Sequence, residues 1–307
     1  MTAHIKKTKL AFSLIELSVV ILIIGILILG VTKGSRLITE SKIKSAQSLT
    51  NNSPVASIKG LSIWLETTLD KSFESDQAVD TDLSADGTIA AWNDINPQTT
   101  SPKSATQTGL ATTRPRYIEN GINGLPSLNF NGTATNQIIA PFDFITLPTT
   151  DSLGINNSDY ELFIVYQSEL GAGASVQFLL SDPSSTTFEI HINGAGAGSA
   201  SKGLRFISNS VIANGEFVNM NGLSPHIASA RVQAGSAIAR IDGVDGVDIT
   251  ALAISNLATT TLRVGLRGNG TLPFYGTIGE IIIYDRALKI SERTIIEEYL
   301  KAKWGVN

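Results

Sequence analysis

The hydrophobic pattern divides the chain into one long apolar segment and a much longer region of short alternating runs. From Phe12 to Thr32 the side chains are almost all apolar, and Glu16 is the only charged residue. A helix of this length spans about 30 Å, the thickness of the hydrocarbon core of a bilayer. The helical pattern continues to the Asn-Asn-Ser-Pro sequence at 51–54, where proline removes a backbone donor. The pattern therefore predicts a transmembrane helix within residues 12–53.

After residue 54 the pattern changes to short strands that are separated by turn signals. Dipeptides such as Asp242-Gly243 favour tight turns, because glycine readily adopts positive φ. Many short strands without helical patterns between them favour a β-sandwich or jelly roll. The predicted strands are 61–66, 126–130, 160–167, 226–233, 237–242, 261–266 and 275–285.

A short helix is predicted at the C-terminal end, from Ser291 as the N-cap to Gly305 as the stop. Its apolar stripe, which includes Tyr299, Leu300 and Trp304, is expected to pack against the sandwich. The predicted fold class is α+β: a long N-terminal transmembrane helix, an all-β jelly-roll sandwich and this short helix.

Composition excludes several classes of function. The 307 residues include 23 Lys and Arg against 27 Asp and Glu, a net charge of -4, which disfavours nucleic acid as a partner. The absence of cysteine excludes disulfides, cysteine-ligated zinc and thiol nucleophiles. With three histidines a His-rich metal site is not expected either. No cofactor is therefore predicted, apart from calcium at a weak candidate site.

The N-terminal residues resemble a known family. Lysines precede the apolar run, and KTKLA-FSLIELSVVILIIGILILG resembles the class III leader and first helix of type IV pilins and type II secretion pseudopilins. The resemblance implies that residues 1–11 are a leader, cut between Ala11 and Phe12 by prepilin peptidase, and that Phe12 is then N-methylated. A lone acid in a membrane helix is costly and favours a partner, and the family pattern makes Glu16 the filament-assembly acid. The implied partners are other pilin or pseudopilin subunits, the peptidase/methyltransferase and an inner-membrane assembly platform.

The rest of the chain, residues 58–307, resembles concanavalin A-like (LamG-type) jelly-roll domains of bacterial surface proteins. The similar segments are IWLE, DGTIAAWND, RPRYIENGINGLPSLNFNGT and FYGTIGEIIIYDRALKISERTIIEEYLKAKWGV. The resemblance implies two stacked antiparallel sheets with a concave face that binds glycans or other ligands in many relatives.

Five residues are candidates for contacting such a ligand. Trp92 has the flat aromatic face that sugars stack on, although core packing is the stronger interpretation for both Trp92 and Trp64. The loop residues offer hydrogen-bonding groups that suit carbohydrate and equally suit turns. The candidates are Trp92, Asn93, Asp94, Arg267 and Asn269.

Two kinds of chemistry receive little support. Asp242, Asp245 and Asp248 supply alternating oxygens and are weak calcium candidates, but their spacing does not fit an EF-hand. Some glycosidases of this fold carry a Glu-x-Asp-x-Glu triplet, which is absent here, and Glu280 and Asp285 fall on opposite faces of a regular strand. The chain is therefore not expected to be an enzyme.

Together these features predict a minor or tip pilin-like subunit that displays a lectin-like domain for adhesion or glycan binding. The predicted location is the bacterial inner membrane, with a single pass and a periplasmic C-terminal domain, and then an extracellular pilus. Two alternatives remain: a pseudopilin of a periplasmic type II secretion pseudopilus, and a membrane-anchored glycan hydrolase.

Overall fold

The computed structural model describes residues 14–73, 87–131, 142–156, 159–169, 176–184, 187–192, 203–208, 211–216, 224–246 and 257–307. The chain divides into two compact units, Met1–Lys44 and Ser45–Asn307. The predicted leader and its cleavage site, Ala11 and Phe12, lie outside the described residues.

A single helix, α1 (Leu14–Asn51), begins the described chain and carries Glu16 in its first turn. Its large apolar side chains are exposed as far as Leu29, with Leu14 at 87%. Among the described residues, no helix has the length and apolarity to cross a membrane. This finding contradicts the predicted transmembrane helix within 12–53 and the inner-membrane location.

The first sheet is antiparallel and eight-stranded within the described residues. Its order is β14-β13-β12-β7-β16-β5-β4, and β1 pairs with the second half of β16. Its strands are β1 (Leu61–Glu66), β4 (Arg116–Ile118), β5 (Ser127–Asn131), β7 (Tyr160–Ser168), β12 (His226–Gln233), β13 (Ser236–Ile241), β14 (Val244–Asp245) and β16 (Tyr275–Tyr284).

The second sheet, also antiparallel and eight-stranded in the described chain, has the order β11-β10-β9-β8-β15-β6-β3-β2. Its strands are β2 (Ala91–Trp92), β3 (Ala105–Thr106), β6 (Ile145–Thr149), β8 (Gln177–Ser181), β9 (Phe188–Ile192), β10 (Gly203–Ser208), β11 (Val211–Glu216) and β15 (Thr261–Val264). Short 3-10 turns occur at Val55–Ser57, Asp70–Ser72, Ala111–Thr113 and Ile122–Gly124.

The main core lies between the two sheets. Alternate side chains of each strand point inward, so aromatic and branched residues from both sheets form one buried cluster. Phe130 and Tyr166 from the first sheet and Phe188 and Phe206 from the second are among its large members. The prediction of a jelly-roll-type β-sandwich is confirmed.

The outer face of the first sheet is covered by a second helix, α2 (Ile290–Trp304). The helix begins after Lys289 rather than at the predicted Ser291, because Glu292 accepts a hydrogen bond from the Lys289 N–H at 2.8 Å and caps the first turn. It ends as predicted at Gly305, which has φ 68°. Trp304 packs directly on Gly279, where an added Cβ would lie 2.6 Å from the indole ring. The central strands of the first sheet, β7 and β16, are therefore buried on both faces.

Candidate functional site

The outer face of the second sheet is the candidate site. Because α2 packs on the first sheet, no helix within the described residues of the unit Ser45–Asn307 lies over this face. In β9, Phe188 and Ile190 point into the core, so the residues between them point outward. A bulge between Phe178 and Leu180 turns Phe178 to the outer side, opposite His191. The paired outward positions are Arg205, His191 and Phe178 in one row and Glu189, Ser181 and Arg263 in the next.

An aromatic and charged group lies at the centre of this face, and we call it the Phe178 cluster: Phe178, Glu189, His191, Arg205 and Arg267. The rings of Phe178 and His191 are stacked, with centroids 4.7 Å apart and planes 9° from parallel. The Arg267 guanidinium lies over the Phe178 ring at 5.1 Å. Phe178 is only 2% exposed, while the Arg267 side chain is 30% exposed. The arginine is therefore the part of this stack that faces solvent.

The loop of residues 265–274 brings Arg267 into place. Its ends are joined because the Phe274 N–H donates to the Gly265 carbonyl at 2.8 Å. Its middle packs so closely on the β8–β9 turn that a Cβ on Gly268 would lie 1.7 Å from the Asp182 carbonyl oxygen. The Gly268 N–H also donates to Ser181 Oγ at 3.1 Å. Glycine at 268 is thus required for the loop to lie over the sheet.

The electrostatics of the face are dominated by guanidinium groups. Arg267 Nε lies 3.4 Å from Glu189 Oε1, and Arg205 is the cross-strand neighbour of His191. Arg263 lies over the Phe144 ring at 5.0 Å. Burial raises the pKa of the Glu189 carboxyl; Arg267 offsets part of this rise and Asp182 adds to it. Three guanidiniums, those of Arg205, Arg263 and Arg267, thus lie on a face that also holds Glu189 and, at the register position paired with Gly203, Glu216 of β11.

The predicted ligand residues Trp92, Asn93 and Asp94 lie elsewhere. Trp92 is fully buried in the main core, and its Nε1 donates to the Glu66 carbonyl at 2.7 Å. Asp94 is buried and accepts hydrogen bonds from the backbone N–H groups of Trp64 and Asn96. Asn93 donates to a backbone carbonyl and accepts from a serine hydroxyl. All three side chains therefore make contacts within the protein that stabilise the fold.

Arg267 and Asn269, the other two predicted ligand residues, belong to the loop over the Phe178 cluster. Arg267 is a member of the cluster itself. The side chain of Asn269 accepts hydrogen bonds from the backbone N–H and hydroxyl of Thr271, which stabilises the turn. A ligand contact by either residue stays a prediction.

The weak calcium candidates are engaged with basic side chains or lie outside the described chain. Asp242 has one oxygen 2.7 Å from His226 Nδ1 and the other accepts the Ile227 N–H. Asp245 is paired with Arg240, and Asp248 lies outside the described residues. Among the residues that the structure describes, no group of three or more His, Asp and Glu side chains is arranged to hold a metal. Calcium binding stays an untested prediction.

A second cluster of titratable groups lies beneath α2. Lys303 Nζ is 2.9 Å from Glu66 Oε2 and 3.0 Å from Glu280 Oε2, and all three side chains are 0% or 1% exposed. Glu280 also accepts from the indole N–H groups of Trp64 and Trp304 at 2.7 and 2.8 Å. The two carboxylates are thus sealed from any substrate, and the cluster serves the packing of the helix.

The pKa values of this cluster follow from its contacts. Burial alone would raise the pKa of Glu66, but Lys303 and the hydroxyls of Ser72 and Thr68 outweigh it, and the pKa is lowered. Burial alone would lower the pKa of Lys303, but Glu280 and Glu66 outweigh it, and the pKa is raised. The charged forms are therefore the stable ones in the folded chain.

Sequence reasoning missed four members of the Phe178 cluster. Phe178, Glu189, His191 and Arg205 lie on strands that were not predicted. The signal was present in FEIHI at 188–192 and GLRFIS at 203–208, where apolar and polar residues alternate with period two. Such alternation indicates a half-buried strand and would have placed Glu189, His191 and Arg205 on one outer face.

No protein-family model matches the sequence, and no curated protein matches it. Solved structures do match the fold. The sialidase of Trypanosoma rangeli, solved in complex with sialic acid, is 13% identical over 88% of this chain and 39% of its own, with a TM-score of 0.51. The binding domain of Paraclostridial Mosquitocidal Protein 1 is 14% identical over 80% of this chain and 55% of its own, with a TM-score of 0.51. Domain 4 of the Geobacillus stearothermophilus GH43 arabinanase AbnA, in complex with arabinotriose, is 18% identical over 76% of this chain and 96% of its own, with a TM-score of 0.48.

These likenesses show a shared β-sandwich fold and nothing finer, because all the identities are low. The chain spans well under two thirds of the sialidase and of the toxin domain, 39% and 55% of their lengths. The fold assignment rests on these two, since the arabinanase domain has a TM-score of 0.48.

The predicted membership of the type IV pilin and type II secretion pseudopilin family is wrong. No family model matches, the structural neighbours are β-sandwich domains, and the described chain offers no membrane-crossing helix. The pilus, prepilin and membrane properties that the resemblance implied are withdrawn with it, whereas the individual roles predicted for Ala11, Phe12 and Glu16 are not tested and stay predictions. The jelly-roll part of the prediction fits the neighbours.

Proposed function

We propose that this chain binds glycans on the outer face of its second sheet, at the Phe178 cluster. The observation that carries the proposal is the arrangement of that cluster: planar polar side chains held over stacked rings on the sheet face that no helix within the described residues of the unit Ser45–Asn307 covers. Protein sites that bind small polar ligands combine aromatic surface with a few well-placed hydrogen-bonding groups. Because the two rings are buried, Phe178 at 2% and His191 at 4% exposed, they hold the planar polar side chains in place, and these side chains are the groups that the hydroxyls of a sugar would meet.

The geometry favours binding over hydrolysis. Glycoside hydrolysis ordinarily needs two carboxyl groups that flank the scissile bond. Among the described residues, the Phe178 cluster holds one carboxylate, Glu189, and Arg267 already contacts it. The nearby Asp182 accepts hydrogen bonds from Ser184 and Phe188 of its own turn. The fold likeness to a sialidase and a toxin binding domain is compatible with either activity, so the proposal rests on the cluster.

Replacing Phe178 by Leu is expected to weaken glycan binding by about 10-fold, since the ring that positions Arg267 is lost while most of the volume remains. Full-length wild-type and variant proteins would be compared on a broad oligosaccharide array, followed by titration of the best ligand. The matched control is Phe73→Leu, because Phe73 is another buried ring but packs against Tyr117 of the first sheet. Equal binding by wild type and Phe178→Leu would place the ligand elsewhere, and a wild-type chain that bound no oligosaccharide would refute the proposal.

A further inference from the structure

We infer that the ligand of the Phe178 cluster is an acidic glycan, a sugar that carries a carboxylate; this inference rests on the proposed function. The face presents Arg205, Arg263 and Arg267 within two adjacent rows of the second sheet and the loop above them. A guanidinium presents its N–H groups in a planar fork that matches a carboxylate. A neutral sugar would leave that fork without a charged partner.

Arg205 gives the sharpest indication. Its Nε is buried, and among the described residues it has no hydrogen-bond partner. Buried N–H groups in folded proteins are nearly always paired, so such a donor marks a position where a further acceptor belongs. Arg205 as a whole is partly exposed, so a ligand can reach the guanidinium from solvent even though its Nε is buried. A carboxylate oxygen is the acceptor that suits a charged donor best.

Arg267 and Arg263 are held in place before any ligand arrives. Arg267 lies on the Phe178 ring, and Glu189 contacts it through Nε at 3.4 Å. Within the described part of the chain, its terminal nitrogens have no hydrogen-bond partner. Arg263 lies on the Phe144 ring and donates to the Gly268 carbonyl at 2.8 Å. Because both side chains are already ordered, a ligand loses little further entropy when it binds them.

The two described carboxylates nearest the cluster are already engaged within the protein. Glu189 is buried among the cluster and contacts one nitrogen of one guanidinium. Asp182 is turned toward its own loop, where it accepts the backbone N–H groups of Ser184, Thr187 and Phe188. Arg205 and the exposed part of Arg267 are therefore the groups of the cluster that an incoming carboxylate would meet.

The test compares each acidic sugar with the same sugar after its charge has been removed. Full-length protein is titrated with sialylated, glucuronate-containing and galacturonate-containing oligosaccharides, each paired with its methyl ester. At least one acid is expected to bind about 10-fold or more tightly than its ester. Arg205→Gln and Arg267→Gln should remove that preference, while Arg116→Gln, an exposed arginine on β4 of the first sheet, should retain it.

The outcomes separate this inference from the proposed function. Equal binding of acid and ester, with no effect of the two arginine variants, overturns the acidic specificity and leaves glycan binding intact. Binding confined to neutral or sulfated sugars also overturns it. Failure of every oligosaccharide to bind the wild-type chain overturns both. Thermal melting of each variant shows whether it is folded, and the comparison of acid with ester on the wild-type protein needs no variant.

Discussion

Replacing Lys303 by Met is expected to lower the free energy of unfolding by about 3–5 kcal/mol, because it leaves two buried carboxylates without their cation. Glu66 and Glu280 both contact the Lys303 ammonium and are sealed beneath α2. Because methionine nearly fills the space of the lysine side chain, the decrease in unfolding free energy measures the removal of the charge rather than a change of volume. Chemical denaturation of the two proteins at neutral pH gives the difference directly.

The pH dependence of the difference in unfolding free energy between wild type and Lys303→Met shows whether the loss of charge causes it. The pKa of Glu66 is lowered in the folded wild type, so its contribution to stability is present above the unfolded value of about 4.3 and is lost as the pH falls. In the variant, burial without the ammonium raises the pKa of the same carboxyl, so ionisation destabilises the fold. The difference in unfolding free energy between the two proteins should therefore be largest near neutral pH and should decrease in acid. Lys301→Met, at a partly exposed site two residues earlier in α2, should cost little. If the loss of unfolding free energy in Lys303→Met does not change with pH, the loss does not come from the buried carboxylate charges.

Replacing Trp304 by Ala is expected to cost about 3–5 kcal/mol of unfolding free energy, the usual cost of truncating a large buried aromatic side chain. Trp304 is 0% exposed and its ring rests on the backbone of Gly279 at the centre of β16. Its removal leaves a cavity between α2 and the first sheet and deletes the hydrogen bond to Glu280.

Trp304→Phe separates the cost of the cavity from the cost of the lost hydrogen bond to Glu280. It keeps most of the ring, and its smaller loss, about 1–3 kcal/mol, reports the one donor that Glu280 loses, while Lys303 and Trp64 still donate to that carboxylate. Both variants should keep glycan binding at temperatures where they are folded, because the Phe178 cluster lies on the other sheet. A Trp304→Ala protein as stable as the wild type would mean that α2 does not depend on this contact.

The two sheets differ in how far the sequence predicts them. Strands such as β7 and β16 are buried on both faces, so they appear as continuous apolar runs and were predicted close to their observed bounds. Strands β8 to β11 were missed, because they are short and lie among glycine-rich and polar segments. The prediction thus found the sheet that supports the fold and missed most of the sheet that carries the candidate site.

The candidate site depends on contacts that no local pattern reveals. Arg267 was selected from the sequence as an exposed loop residue, but its position over Phe178 depends on the close approach of Gly268 to Asp182, residues far apart in the chain. Trp92 and Asp94 were selected for side chains that suit sugars, and they are buried instead. For Trp92 the interpretation as core packing is confirmed.

Hydrogen–deuterium exchange of the full chain, with and without its best-binding acidic oligosaccharide, tests the central claim most directly. The account predicts that the ligand slows exchange in peptides covering 187–192, 203–208 and 265–274, the three segments that supply Glu189, His191, Arg205 and Arg267. Slowed exchange confined to peptides around 91–96, or no change in these three segments under saturating ligand, would contradict it.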